Sequence, residues 1–240
     1  MKILSIDTSS NLCAVSVLED TNLIKENILD DTKNHSEKIM PVIAQTLENA
    51  NLELKDIDLI VCDKGPGSFT GIRIGIATVM SFVDSLKIPA IGISSLEALM
   101  YNVLTNSLED LMYNALSAEN TPHYICSLID AKNENVYFEL YSISDNKASS
   151  IVKADCKNIH ELIEILKPYN NICFVGDGSI VHQSLLFSNL ENVKFCENND
   201  ISSYSLGIAG LNAFNFGRKD DLLPLYLRKS QAERAKENIN

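Results

Sequence analysis

Closely paired histidines are missing from this 240-residue chain: its four, His35, His123, His160 and His182, are each more than twenty residues apart. That excludes two imidazoles on one helical face gripping a metal, and with it the HExxH arrangement of a metalloprotease. The six cysteines (Cys13, Cys62, Cys126, Cys156, Cys173 and Cys196) include no closely spaced pair. Zinc chelation by a cysteine pair and dithiol cycling are thereby excluded, leaving buried free thiols in a reducing compartment. Basic side chains are in deficit, 20 against 32 acidic, for a formal charge of −12. Such a surface repels a phosphate backbone at long range, and no basic stripe interleaved with aromatics is present, so direct nucleic-acid binding is disfavoured. Long apolar runs are also lacking. The first is too short for a signal peptide, and the most apolar later segment, 72–83, carries Arg73 and small polar residues, so a soluble cytoplasmic protein with no membrane contact is expected.

What the chain does have is enough apolar material, 45% of its residues, for a sizeable core in one large domain or two small ones. Three strands are expected in succession over 2–7, 12–19 and 23–29, each ended by polar turn residues. A helix follows, capped by Asn34 with Glu37 closing a capping box, and with Ile39, Ile43, Leu47 and Ala50 at helical spacing. Pro41 requires that helix to kink or to begin near it. A strand over 59–62, a helix over 71–86, a strand over 90–93 and a helix over 95–103 complete the first half. The second half repeats the order: strands over 124–129, 136–142 and 150–152, a helix over 160–166, a strand over 172–175, a helix over 181–190, a strand over 193–196 and a last helix over 204–216. Adjacent strands followed by alternating helices and strands indicate an α/β fold, a mixed sheet with helices on its faces. The expected boundaries are a first lobe over 1–103, a smaller second lobe over 104–202 with a polar seam near 103–123, a terminal helix and segment over 203–228 packing back on the first lobe, and a frayed tail over 229–240.

The most distinctive string is Gly65-Pro66-Gly67-Ser68-Phe69-Thr70-Gly71-Ile72-Arg73-Ile74-Gly75, a glycine-rich turn from a buried strand into a helix. It is not a P-loop, since no Gly-Lys-Ser/Thr follows at the required spacing. Two readings stay open: backbone N–H groups aimed at an anion, or glycines that permit a tight turn and close helix packing. Asp7 and Asp130 begin similar turns in the two halves, as paired carboxylates across a cleft or as simple turn formers. Gly176-Asp177-Gly178 either brings backbone close to a phosphate or adenosine, or makes a strand-to-helix turn capped by Asp177 or Ser179.

Taken with Ile6-Asp7-Thr8-Ser9, His35-Ser36-Glu37, Ile129-Asp130-Ala131, Val136-Tyr137, Gly176-Asp177-Gly178 and Leu223-Pro224-Leu225-Tyr226-Leu227-Arg228, in that order along the chain, this string resembles the TsaB (YeaZ) family. The resemblance implies an actin/Hsp70/sugar-kinase (ASKHA) fold of two lobes, each on an RNase H-like mixed sheet. It also implies a role in forming threonylcarbamoyladenosine on tRNA as a scaffold without catalytic residues. The implied partners are a metal-holding catalytic homologue, TsaD, and a small ATPase, TsaE; tRNA is met only through the complex, and the chain alone forms a homodimer. No intrinsic cofactor or metal is implied, and ATP or ADP binding is confined to the complex. A vestigial nucleotide or anion site would comprise Asp7, Thr8, Ser9, Gly67, Ser68, Gly176 and Gly178.

The helix over 71–86 is apolar nearly all round and needs cover on two sides. With the stripe of the helix before it, it defines an expected partner interface of Met40, Ile43, Leu47, Ile72, Gly75, Ile76, Val79, Phe82 and Val83. The alternative is that both helices are sandwiched within one lobe. Two other functions compete with the scaffold: an ATP-dependent phosphotransferase or acyl transferase using Asp7 and Asp130 in the cleft, and an independent RNA-binding protein.

Overall fold

The computed structural model describes residues 1–30, 35–113, 123–144, 147–219 and 222–228, excluding the side chains of 35 and 106–113. Strands β1 (Lys2–Asp7), β2 (Leu12–Glu19) and β3 (Asn22–Asp30) form an antiparallel meander. On the other side of β1, β4 (Leu59–Asp63) and β5 (Ala90–Ile93) add in parallel, giving the order β3-β2-β1-β4-β5. The second sheet repeats this plan with β6 (Tyr124–Asp130), β7 (Asn135–Ser144), β8 (Lys147–Asn158), β9 (Ile172–Val175) and β10 (Val193–Phe195), in the order β10-β9-β6-β7-β8. In both, a central strand has an antiparallel neighbour on one side and a parallel one on the other.

Strands β1 and β4 read as continuous apolar runs because both faces of the first sheet are covered. On one face, Leu4, Ile6, Val15, Val17, Ile60 and Cys62 pack against α1 (His35–Asn49) and α2 (Phe69–Leu86). On the other, Ile3, Leu18, Leu59 and Val61 meet α3 (Ser95–Tyr113) and α7 (Ser203–Asn215). The same cluster continues into the second sheet through Ile125, Cys173 and Val175, so α3 and α7 form an apolar layer shared by the two sheets. The outer face of the second sheet is closed by α4 (Ile159–Leu166) and α6 (Gln183–Asn189), which place Leu162, Ile163, Leu166 and Leu186 against Phe138 and Phe174.

Several boundaries differ from the sequence reading. Helix α1 runs through Pro41 without ending, and its expected cap at Asn34 lies outside the described residues. Helix α3 continues beyond 103, to Tyr113, into the stretch expected as a polar seam. Strand β8 is much longer than 150–152, because β7 gives it a ladder over most of its length. The helix expected over 181–190 is two, α5 (Asp177–Val181) and α6, separated at His182.

The expected partner interface requires a larger correction. Ile43, Leu47, Ile72, Gly75, Ile76, Val79 and Phe82 are buried within this one chain, Val83 is half-buried, and only Met40 is exposed. The stripe taken for a docking ridge is the face laid on the sheet, as the sandwiched alternative has it. By length and composition alone α2 could cross a bilayer, but its large residues Ile72, Ile76, Val79 and Phe82 are used against the sheet. The outward edge carries Arg73, Ala77, Met80 and Ser81 instead. Val79 has no exposed surface, so Val79→Asp places a carboxylate in a dry core and is expected to remove several kcal/mol from a net stability of about 5–15 kcal/mol. Loss of the cooperative thermal transition would be its signature; a variant that melts like the parent would contradict this packing.

Candidate functional site

The glycine-rich string is built around a backbone contact. The 65–68 loop leaves β4 with Gly65 at φ +97 and a cis Gly65–Pro66 bond. It then presses onto the turn after β1, where the Ser68 N–H donates to the Ser9 carbonyl at 2.6 Å and the Thr8 hydroxyl donates to the Gly71 carbonyl at 2.8 Å. A Cβ added at Gly67 would sit 2.3 Å from Ser9 O, and one at Gly71 would sit 1.8 Å from Thr8 O. Glycine is therefore needed for proximity, which is the close-packing reading of this motif. Three of its amides are engaged internally: Ser68 N–H on Ser9 O as above, Gly71 N–H on Ser68 Oγ at 3.2 Å and Gly65 N–H on Asp63 Oδ1 at 2.6 Å.

Behind this contact lie two fully buried carboxyl groups, Asp7 at the end of β1 and Asp63 at the end of β4. Asp7 Oδ1 accepts from the Ser9 N–H at 2.7 Å. Asp63 Oδ1 accepts from the Ser95 hydroxyl at 2.7 Å as well as from Gly65, and its Oδ2 accepts from the Ser9 hydroxyl at 3.1 Å. Asp7 Oδ2 is buried without a hydrogen-bond partner of this kind. Burial pushes Asp7 up to about 6 against the opposing pull of its Ser9 bonds, and burial together with the Asp7 charge pushes Asp63 well above the carboxylate range. Asp63 and Ser95 were not singled out from the sequence, where an aspartate ending a strand looks like turn chemistry.

The second lobe repeats the backbone device. At the β9–α5 turn a Cβ on Gly176 would lie 2.1 Å from Leu128 O, and one on Gly178 would lie 3.0 Å from the Ile129 carbonyl carbon. Asp177 and Ser179 do not cap as expected: Asp177 accepts from the Asp130 N–H at 3.0 Å, and the Ser179 hydroxyl donates to Gly176 O at 2.7 Å. Asp130 behaves oppositely to Asp7. Burial raises its pKa, but the Lys132 ammonium at 2.7 Å and the Lys132 amide outweigh that and hold it below the ordinary value.

Between these two turns opens a cavity of about 620 Å³. Of the residues assigned to a vestigial nucleotide or anion site, Ser9, Gly67 and Ser68 line it, whereas Asp7, Thr8, Gly176 and Gly178 are not on its wall. Asp7 therefore does not face Asp130 across the cleft; its carboxyl neighbour is Asp63, because the β1 end turns inward beneath Ser9. Among the described residues, Asp30, Asp130, Asp177 and Asp200 all contribute to the lining, and the one lysine there, Lys132, is bonded to Asp130. Among the described residues no three His, Cys, Asp or Glu side chains gather closely enough to share a metal ion.

A C-terminal strap closes the arrangement. Leu225 N–H donates to Lys64 O at 2.7 Å, Tyr226 stacks on Phe69 with ring centroids 4.1 Å apart, and Arg73 donates to the Tyr226 hydroxyl at 2.8 Å while lying over the Phe69 ring. Arg228 then reaches the second lobe, donating to Ala131 O at 2.8 Å. The Leu223–Arg228 string noticed in the sequence thus ties the glycine loop to the β6–β7 turn.

Two lobes, each on a mixed sheet of the same plan, facing each other across a cleft, make an actin/Hsp70/sugar-kinase-type fold. A Thermus thermophilus ROK hexokinase shares this architecture at a TM-score of 0.53 and 9% identity, over 90% of this chain and all of that one. A Pseudomonas aeruginosa protein described as similar to the peptidase YeaZ superposes at a TM-score of 0.76 and 20% identity, covering 95% of this chain and 99% of its own. The sequence matches the family model for TsaD, tRNA N6-adenosine threonylcarbamoyltransferase, over residues 22–236. The Bacillus subtilis (strain 168) tRNA threonylcarbamoyladenosine biosynthesis protein TsaB is 30% identical over 190 residues, 78% of this chain and 75% of that protein. The Escherichia coli (strain K12) protein of the same name is 28% identical, and the match spans 61% of this chain but only 57% of that protein. The chain belongs to the TsaB family, within the wider group that the TsaD model describes.

The backbone contact is open to direct test. Gly71→Ala would normally favour a helix by about 1 kcal/mol, but here the overlap with Thr8 O should make it net destabilising by about 1–3 kcal/mol, read as a lower urea midpoint. Tyr226→Ala, which removes the Phe69 stack and the Arg73 bond, should lower stability by about 1–2 kcal/mol in the same assay.

Proposed function

We propose that this chain serves threonylcarbamoyladenosine formation on tRNA as a non-catalytic cytoplasmic subunit, pairing with a TsaD-like catalytic homologue and helping to recruit a TsaE-like ATPase. The observation that carries this reading is the outward edge of α1 and α2, joined to the family membership. Met40 and Met80 are each about half exposed, at 49% and 48%, and Ala44 and Ala77 are exposed on the same pair of adjacent helices. Small side chains allow a close approach of partner helices, and methionines adapt to an opposing surface. This edge replaces the buried stripe as the docking face; alone, the chain would use it to form a homodimer.

The cleft supports the non-catalytic half of the reading. Among the described residues, a polyphosphate entering it would meet four aspartates and a lysine already paired, beside a glycine loop whose Gly65, Ser68 and Gly71 amides are engaged. An enzyme using Asp7 and Asp130 has no such support, since one is buried beneath Ser9 and the other is bonded to Lys132. On this reading tRNA is reached only through the complex, in keeping with the acidic surface.

Met80→Asp should leave the melting temperature within a few degrees of the parent and weaken association with the catalytic homologue at least tenfold, measured by calorimetry, with a matching loss of tRNA modification in the reconstituted system. Normal association by that variant would remove the proposed face. The isolated chain should give no saturable heat with ATP and magnesium at millimolar concentration, and tight binding there would restore the enzyme reading.

A further inference from the structure

We propose that Asp7 and Asp63 hold a single proton between them at neutral pH, and that this proton locks the Ser9 turn and the 65–68 loop, which together form one wall of the cavity, to the start of α3. The two carboxyls end neighbouring parallel strands, are fully buried, and are bound to three separate elements: the Ser9 turn through its amide and hydroxyl, the glycine loop through the Gly65 amide, and α3 through the Ser95 hydroxyl. Each of those bonds is donated to a carboxyl oxygen, and only Asp7 Oδ2 is left without a donor. A proton on the pair supplies that donor: one carboxyl becomes an O–H that bonds the other, and the orphaned oxygen is satisfied.

Among the described residues the surroundings offer no substitute for the proton. The groups acting on the carboxyls are burial, each other, the Ser9 and Ser95 hydroxyls and the Ser9 and Gly65 amides, with no cation among them. Among the described residues, the titratable groups facing the pair from the packed elements are the thiols of Cys13 on β2 and Cys62 on β4; burial pushes Cys13 up to about 11 and Cys62 well above the ordinary thiol value, so both stay neutral. Two bare carboxylates in that setting would repel each other without screening, and both are bonded to the cavity wall, through the Ser9 turn and the Gly65 amide. Loss of the proton would therefore act on the cavity wall.

The sign follows from the raised values. In the unfolded chain both groups ionise near 4, so the folded state binds the extra proton from there upward. The stabilising contribution is complete below about pH 4 and is lost as pH rises through about 6 for Asp7 and further for Asp63. Carboxyl carbon NMR of the native chain, labelled at aspartate, should show one of the pair titrating at or above about pH 6 instead of near 4. In Asp63→Asn, whose amide can still serve Ser95 and Gly65 and can donate to Asp7, the upper of the pair's two midpoints should disappear and Asp7 should titrate alone, with no second step above it. The fall in melting temperature between pH 5 and 8 should flatten relative to the parent. Ordinary midpoints below 5 for both aspartates would overturn the proposal, as would a parent-to-variant stability difference that does not change with pH. Should Asp63→Asn fail to fold, the midpoints in the native chain decide alone.

Discussion

The structure turns on the contact of one stretch of backbone with another. Thr8 and Ser9 after β1 lie against Gly67 and Gly71 at the start of α2, closer than any side chain would allow. Because β1 and β4 are parallel neighbours, their ends emerge side by side, and the chain must leave each without colliding with the other. Glycine at 67 and 71 removes the collision, and the gain is two short hydrogen bonds that fix the floor of the cleft. The strap, the N-terminus of α3 and the cavity wall are all referred to that fixed point through Lys64, Ser95 and Ser68.

The two lobes share this device but answer its electrostatic consequence differently. In each, an aspartate ends the central strand where the next turn crowds in. In the second lobe the turn folds back on itself and supplies Lys132, so Asp130 stays ionised at the rim of the cavity. In the first, the turn is clamped down by α2 and Asp7 is sealed beside Asp63 with only neutral donors. A repeated fold therefore does not imply repeated chemistry: whether a loop can bring a charged side chain back over its own strand end decides which carboxylate is solvated and which is buried.

The order of strands and helices was legible because apolar runs and turn residues are local signals: the meander over β1–β3 and its counterpart in the second half followed from short apolar runs ended by polar turn residues such as Ser9-Ser10-Asn11. The motif residues Asp7, Ser9, Gly67 and Ser68 were also visible, since a glycine-rich turn between strand and helix stands out. What each residue faces was not visible. The stripe of Val79 and Phe82 looks the same whether it meets a sheet or a partner, and only the presence of β1 and β4 beneath it settles the matter. Asp63 and Ser95 escaped notice because their relation to Asp7 spans long stretches of chain and depends on strand register. The strap was recognisable as a string but not as a tie, because its partners Lys64, Phe69 and Ala131 lie far away in sequence.

The shared layer of α3 and α7 bears on what kind of machine such a molecule can be. Swinging the lobes apart about the cleft would pull Leu99 and Val103 of α3 away from Ile125 and Val175 of the second sheet, or from Ile91 and Ile93 of the first. Either choice exposes apolar surface at about 25 cal/mol per Å² and strains the bond from Arg228 to Ala131. A phosphotransferase of this architecture gains from lobes that close over substrate and exclude water. Here the continuous core opposes that movement, and the outer edge of α1 and α2, with Met40 and Met80 exposed on it, lies away from that core. On the proposed function, such an edge on a joined pair of lobes would be the part that positions another protein.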